Sequence, residues 1–263
     1  MAREVRYEWL RPAQIVEARQ ACPVAYVPIG TIEWHGVHNP IGLDTLKIHA
    51  LCIRCAQQGG GLVFPPLFYG ENREEALMEA NYARAKEIAE AMGLPPENFA
   101  PGYMKRSAAE QNAAYHQLLL HILREAQSLG FKVVVLAAGH YPLIDHARAA
   151  ACVFHQEQRQ NPHAAIPWVF TGYELVRDQI PDAGDHAGKW ETSLMMAFNP
   201  ESVDLSQLPK DRQTPLLGAG QNAFDANREY GERGIAAVVE KALAEVRKRL
   251  EKPQAYRGHG VRL

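Results

Sequence analysis

Four side chains of metal-binding type fall in one stretch of this 263-residue chain, VPIGTIEWHGVHNPIGLD at residues 27–44: Glu33, His35, His38 and Asp44. In an extended segment alternate side chains point the same way, so Glu33 and His35 can bring one oxygen and one nitrogen donor to the same cation. Gly36 and Gly42 give the backbone freedom to turn, which lets Asp44 fold back beside them. A carboxylate can bridge two cations, and Asp44 is the candidate for that position. A Glu-x-His pair alone is ordinary surface chemistry. What gives it weight is its place after the buried run 25–29, together with further donors at two other strand ends.

Ligands in open α/β sheets gather at the carboxyl ends of strands, so the elements that deliver these side chains matter. The segment KVVVLAAGH, 132–140, has the continuous apolar character of a buried strand and ends on His140, a further ligand candidate. Two more strands are predicted at 62–70 and 165–173, the first carrying Pro65 and Pro66, which suit an edge or a loop. Helices are predicted over 8–22 with Pro12 near the start, 45–58, 73–92, 107–129, 143–160 and 225–250. Ser107 and Glu110 have capping-box spacing at the start of the fourth. His116 and His121 lie on that helix and read as surface or core residues. Residues 174–190 read as a loop and 199–222 as irregular, Pro-rich chain. Strand and helix alternate, which predicts an α/β fold: a three-layer α/β/α arrangement with a mostly parallel central sheet, in one domain over 1–263.

Composition narrows the function. The formal charge is -2 and no block of like charge stands out, so neither nucleic acid nor a membrane surface is an expected partner. The apolar runs are far shorter than a spanning helix needs, and the charged start MAREVRYEWLRP has no apolar core of a signal peptide. A cytoplasmic protein is expected. Four cysteines, Cys22, Cys52, Cys55 and Cys152, form no evident disulfide framework. Cys52 and Cys55 make a C-x-x-C inside a predicted helix without a second pair, so they read as small buried side chains. Gly59, Gly60 and Gly61 lack the lysine and serine or threonine of a phosphate loop and read as a turn.

Three stretches resemble the creatininase (creatinine amidohydrolase) family, in order and with similar spacing: GTIEWHGVHNPIGLD, AAGHYPL around His140, and GDHAGKWETSLMM around His186 and Glu191. The resemblance implies a dinuclear centre with Glu33, His35, Asp44, His140 and Glu191 as metal ligands. One site would use Glu33, Asp44 and His140, the other His35, Asp44 and Glu191. His186 would be the proton shuttle and Glu191 also a water-orienting carboxylate; Asp185 would orient His186, and His38 would orient a ligand by hydrogen bond. The mixed oxygen and nitrogen set suits zinc first, with manganese or iron as alternatives. Two divalent ions sharing Asp44 would acidify a bridging water, and His186 would protonate the departing nitrogen of a small amide, lactam or formamide. A homohexamer is implied as well, with Trp34 and Trp190 either lining a shared pocket or in the core.

The chain departs from the family pattern in places. Ala138 stands where an Asn is common, Pro142 where some members have a metal-binding Glu, and Asp182 where the creatinine-specific enzyme has a tryptophan. The substrate walls therefore differ, and creatinine is not the implied substrate. An alternative reading is a catalytically inactive or small-molecule-binding protein on the same fold. A nucleotide binder would need the glycine fingerprint that this chain lacks.

Overall fold

The apolar runs predicted as strands form the centre of the molecule. The computed structural model describes residues 3–70, 82–100, 102–258 and 260. Strands β1 (Val24–Ile29), β2 (Leu62–Val63), β3 (Val133–Ala138) and β4 (Ile166–Thr171) make one sheet in the order β2-β1-β3-β4, with every pairing parallel. Side chains divide between its faces with period two. Val24, Tyr26, Val133, Val135 and Ala137 enter one core, and Ala25, Val27, Ile29, Val134, Leu136 and Ala138 the other. The first core is closed by α2 (Leu43–Gly59), α7 (Lys189–Phe198) and α8 (Arg228–Glu251). The second is closed by α1 (Pro12–Ala21), α4 (Ala108–Ser128) and α5 (Leu143–Glu157). A three-layer α/β/α architecture results, because a parallel sheet buried on both faces needs helices on each.

Local chemistry explains where elements begin and stop. Ser107 caps α4: its Oγ accepts the Glu110 N–H at 3.3 Å, and Glu110 Oε2 accepts the Ser107 N–H at 2.9 Å. α1 begins at Pro12, later than the predicted start, because proline suits the first helical position and residues 7–9 form a separate 3-10 turn. β2 is much shorter than predicted. Pro65 and Pro66 follow it without N–H groups, and the edge resumes as a bridge between Ile29 and Leu67 and a bond from the Gly70 N–H to the Gly30 carbonyl. Of the predicted helix 73–92, the C-terminal part forms α3 (Ala85–Ala91) after a 3-10 turn at Tyr82–Arg84, and residues 73–81 lie outside the described residues. The predicted loop 174–190 is entered by a short helix, α6 (Gly172–Val176).

The strand order creates the site. β1 connects onward to β2 on one side, whereas β3 connects to β4 on the other, so their adjacent carboxyl ends form a switch point where helices leave in opposite directions. The first turn of α2 packs into this crevice, and two glycines admit it. A Cβ on Gly139 would stand 2.1 Å from the Asp44 carbonyl oxygen, and one on Gly30 would stand 2.3 Å from Thr45 Oγ1. Gly139→Ala is expected to cost about 1–3 kcal/mol in urea unfolding through overpacking against backbone. It should also move His140 off Asp44, which metal titration of the folded variant would report as weakened binding.

Candidate metal centre

The segment after β1 leaves the sheet, turns at Gly36 and returns to begin α2. Gly36 has φ 72°, whereas Gly42 has φ -97° and needs no special freedom; its lack of a side chain instead leaves room for Phe68. The Glu33 N–H donates to the Ile41 carbonyl at 3.1 Å, closing the loop. Glu33, His35 and Asp44 are all buried as a result. Asp44 sits in the first turn of α2, where the helix dipole favours a negative charge. His140 arrives from the end of β3.

Asp44 faces two ways. Its Oδ2 lies 3.1 Å from His140 Nδ1, which is also 2.9 Å from Glu33 Oε2. Its Oδ1 lies 3.3 Å from His35 Nε2, which is 3.6 Å from Glu191 Oε2. His35 Nδ1 lies 3.1 Å from the Glu33 carbonyl oxygen. A carbonyl only accepts, so Nδ1 carries the hydrogen and Nε2 is the nitrogen that faces the carboxylates. Burial alone would lower the His35 pKa, but the Asp44 carboxylate, with Glu191 and Glu33 behind it, outweighs this and pushes it up to about 9. Burial works against the Asp44 carboxylate too, yet the Lys47 ammonium and His35 hold its pKa well below the usual carboxylate range.

Glu191 lies in the first turn of α7, which packs on the same face of the sheet as α2, and so meets Asp44 and His35. Its Oε2 accepts the Ala187 N–H at 2.8 Å and its Oε1 accepts from Lys47 Nζ. His186 stands at the mouth, its Nε2 donating to the Trp34 carbonyl at 3.0 Å and its Nδ1 3.9 Å from Glu33 Oε1. The His186 and His35 ring centroids are 4.6 Å apart. Glu33, Asp44, His140, His186 and Glu191 line one cavity of about 540 Å³ together with Tyr141 and Pro142.

This donor set fits a divalent metal. Among the described residues, three groups have ligand atoms close enough to share an ion: Glu33, Asp44 and His140; His35, Asp44 and Glu191; and Glu33, His35 and His186. Glu33 Oε2 and His35 Nε2 are buried and make no hydrogen bond among the described residues, although both lie within 4 Å of other donors or acceptors. Buried polar atoms left in this state carry a penalty that a cation would remove.

Around the centre, Asp185 and His38 make contacts other than those expected. Asp185 does not contact His186 through any hydrogen bond described. It accepts the N–H groups of Gly188, Trp190 and Glu191, because the free N–H groups at the start of α7 attract a carboxylate, and it thereby fixes Glu191. His38 Nε2 lies 3.2 Å from the Ala187 carbonyl and 3.3 Å from Thr192 Oγ1, bracing the turn that carries Glu191 rather than a ligand side chain. Trp34 and Trp190 are both buried within the chain, the former donating to the Leu217 carbonyl at 2.8 Å. Thr192 and Ser193 are fully buried, and Ser193 Oγ accepts the Asn227 N–H at the start of α8. Cys52 and Cys55 are free thiols in the core under α2. Lys47 was not singled out by its sequence context. Its signal was there, since Asp44, Lys47, Ile48, Leu51, Cys52 and Cys55 share the buried helical face, where a lysine calls for a buried anion.

Residues 9–249 match the sequence profile of the creatininase family, described as creatinine amidohydrolase. The chain belongs to the creatininase family. Members of this family are metal-dependent amidohydrolases. The chain is 27% identical over 253 residues to the creatinine amidohydrolase of Pseudomonas putida, covering 85% of this chain and 89% of that one. It is 26% identical over 227 residues to a mycofactocin precursor peptide peptidase of Mycolicibacterium smegmatis, covering 84% and 73%. A crystal structure of creatinine amidohydrolase superposes with a TM-score of 0.71 at 24% identity, over 95% of this chain and 99% of the other. A manganese form of creatininase superposes at 0.70 and 24% identity, over 95% and 100%, and so has the same fold. A Zn–Zn form of a creatininase variant gives 0.68 and 25% identity, over 95% and 99%.

Proposed function

We propose that this protein hydrolyses the C–N bond of a small amide, lactam or formamide at a divalent metal held by Glu33, Asp44 and His140, with His35 and Glu191 as the remaining ligand candidates. The observation that carries this reading is the convergence of donors that follow β1 and β3 with donors from α2 and α7, among which Glu33 Oε2 and His35 Nε2 are buried without a hydrogen bond among the described residues. A bound divalent ion would polarise the substrate carbonyl and make a water acidic enough to attack near neutral pH. Zinc suits the mixed donors best, with manganese or iron next.

The chain's own residues supply the rest. Asp44 presents one oxygen to each side of the centre, so its charge serves both His140 and His35. Glu191, held by Ala187 and Lys47, sets the direction in which a carboxylate oxygen faces the cavity. His186 donates from Nε2 to the Trp34 carbonyl, so in its neutral form Nδ1 carries a lone pair beside Glu33. That nitrogen would take a proton from the attacking water and return it to the leaving nitrogen, because the ring lines the cavity with Nδ1 beside Glu33. A cavity of about 540 Å³ suits a small molecule. The relative named as a peptidase makes a short peptide the second substrate class worth testing.

The test is hydrolysis of a panel of creatinine, small lactams, formamides and short peptides, before and after dialysis against a chelator. Activity should vanish on dialysis and return on addition of zinc or manganese. Turnover that survives complete metal removal would sink the reading.

A further inference from the structure

Lys47 lies on the buried face of α2, one turn beyond Asp44, and is 5% exposed. Its ammonium donates to Asp44 Oδ1 at 2.6 Å and to Glu191 Oε1. Those two carboxylates, with His35, make up the second of the ligand groups that share Asp44. A buried ammonium needs anions and a buried carboxylate pair needs a cation, so each satisfies the other without any ion. Glu191 is left with both oxygens engaged, since Oε2 accepts the Ala187 N–H at 2.8 Å. Asp44, by contrast, still presents Oδ2 to His140 and Glu33 on the other side.

Charge balance points the same way. Three buried carboxylates, Glu33, Asp44 and Glu191, face the Lys47 ammonium and the His35 ring, so a single divalent ion suffices to neutralise them. A second divalent ion beside His35 would stand next to the lysine charge in a poorly screened interior. Pro142, which lines the cavity two residues after His140, brings no donor to compensate.

We propose that Lys47 is the fixed second cation of this centre, and that the chain holds one divalent ion, among Glu33, Asp44 and His140, rather than the two expected from the sequence. This rests on the metal-centre reading of the site. Lys47 acts as a positioning residue: it neutralises Asp44 and Glu191 and orients the Glu191 carboxylate whether or not metal is abundant.

The experiment is elemental analysis of metal-stripped protein reloaded with excess zinc and desalted, for the wild type, Lys47→Met and Lys47→Arg, each checked for folding by circular dichroism. The wild type and Lys47→Arg should hold one zinc per chain. Lys47→Met should hold two, because removal of the ammonium leaves the Asp44 and Glu191 oxygens open beside His35; if it does not fold, Lys47→Gln carries the same expectation. Two zinc ions in the wild type would overturn the proposal and leave the metal centre standing. One in both the wild type and the neutral variant would overturn the role of Lys47. No zinc in any of them would overturn the metal-centre reading itself.

Discussion

Asp44→Asn is expected to abolish metal-dependent turnover and metal binding together. The amide keeps the shape of the carboxylate but loses the charge that His140 Nδ1 approaches to 3.1 Å and that Lys47 Nζ approaches to 2.6 Å. One of its two positions becomes an NH2 group facing another donor. A ligand that binds only the folded state stabilises it by mass action, by about 2.7 kcal/mol at a hundred times its dissociation constant. For a chain of this size that is roughly a 5–10 °C rise in Tm. Zinc should therefore raise the Tm of the wild type by that amount and leave Asp44→Asn unmoved. Calorimetric scans of both proteins with and without zinc check this, and an Asp44→Asn protein with normal turnover would remove Asp44 from the centre.

His186→Ala is expected to separate metal binding from catalysis. The ring's Nε2 is held by the Trp34 carbonyl and its Nδ1 is 3.9 Å from Glu33 Oε1, so its loss leaves Glu33, Asp44 and His140 in place. Metal content should be unchanged, whereas kcat should fall by about 10²–10⁴-fold, the usual contribution of a positioned general acid–base. His186 also belongs to a group with Glu33 and His35 that could hold an ion. Loss of metal from His186→Ala would assign it to that group as a ligand and take the proton-carrier role away. His186→Gln, which retains a donor toward Trp34, serves as the control for local collapse.

Much of this site was legible in the sequence because its donors follow buried strands. The runs 25–29 and 132–138 are apolar enough to be read as central strands, and Glu33, His35 and His140 come directly after them. Their convergence also depended on Gly30 and Gly139, whose role is a close approach of backbone to backbone that no local pattern encodes. The resemblance implies Asp185 as the residue that orients His186, whereas the free N–H groups at the start of α7 claim it. The apolar run 62–70 reads as one strand, whereas Pro65 and Pro66 interrupt the hydrogen-bond ladder after Leu62–Val63 and it resumes only at Leu67. Lys47 is harder to read. A lysine three residues after an aspartate reads as a surface ion pair on most helices, and only the apolar positions at 48, 51, 52 and 55 reveal that this one faces inward.

Glu33, Asp44 and His140 are expected to hold a catalytic divalent ion. Anomalous diffraction from crystals of the zinc-loaded protein, measured on either side of the zinc edge, tests it most directly. A strong peak is expected within coordination distance of Glu33 Oε2, Asp44 Oδ2 and His140 Nδ1. Zinc bound elsewhere on the chain, with no peak between those three atoms, would contradict it.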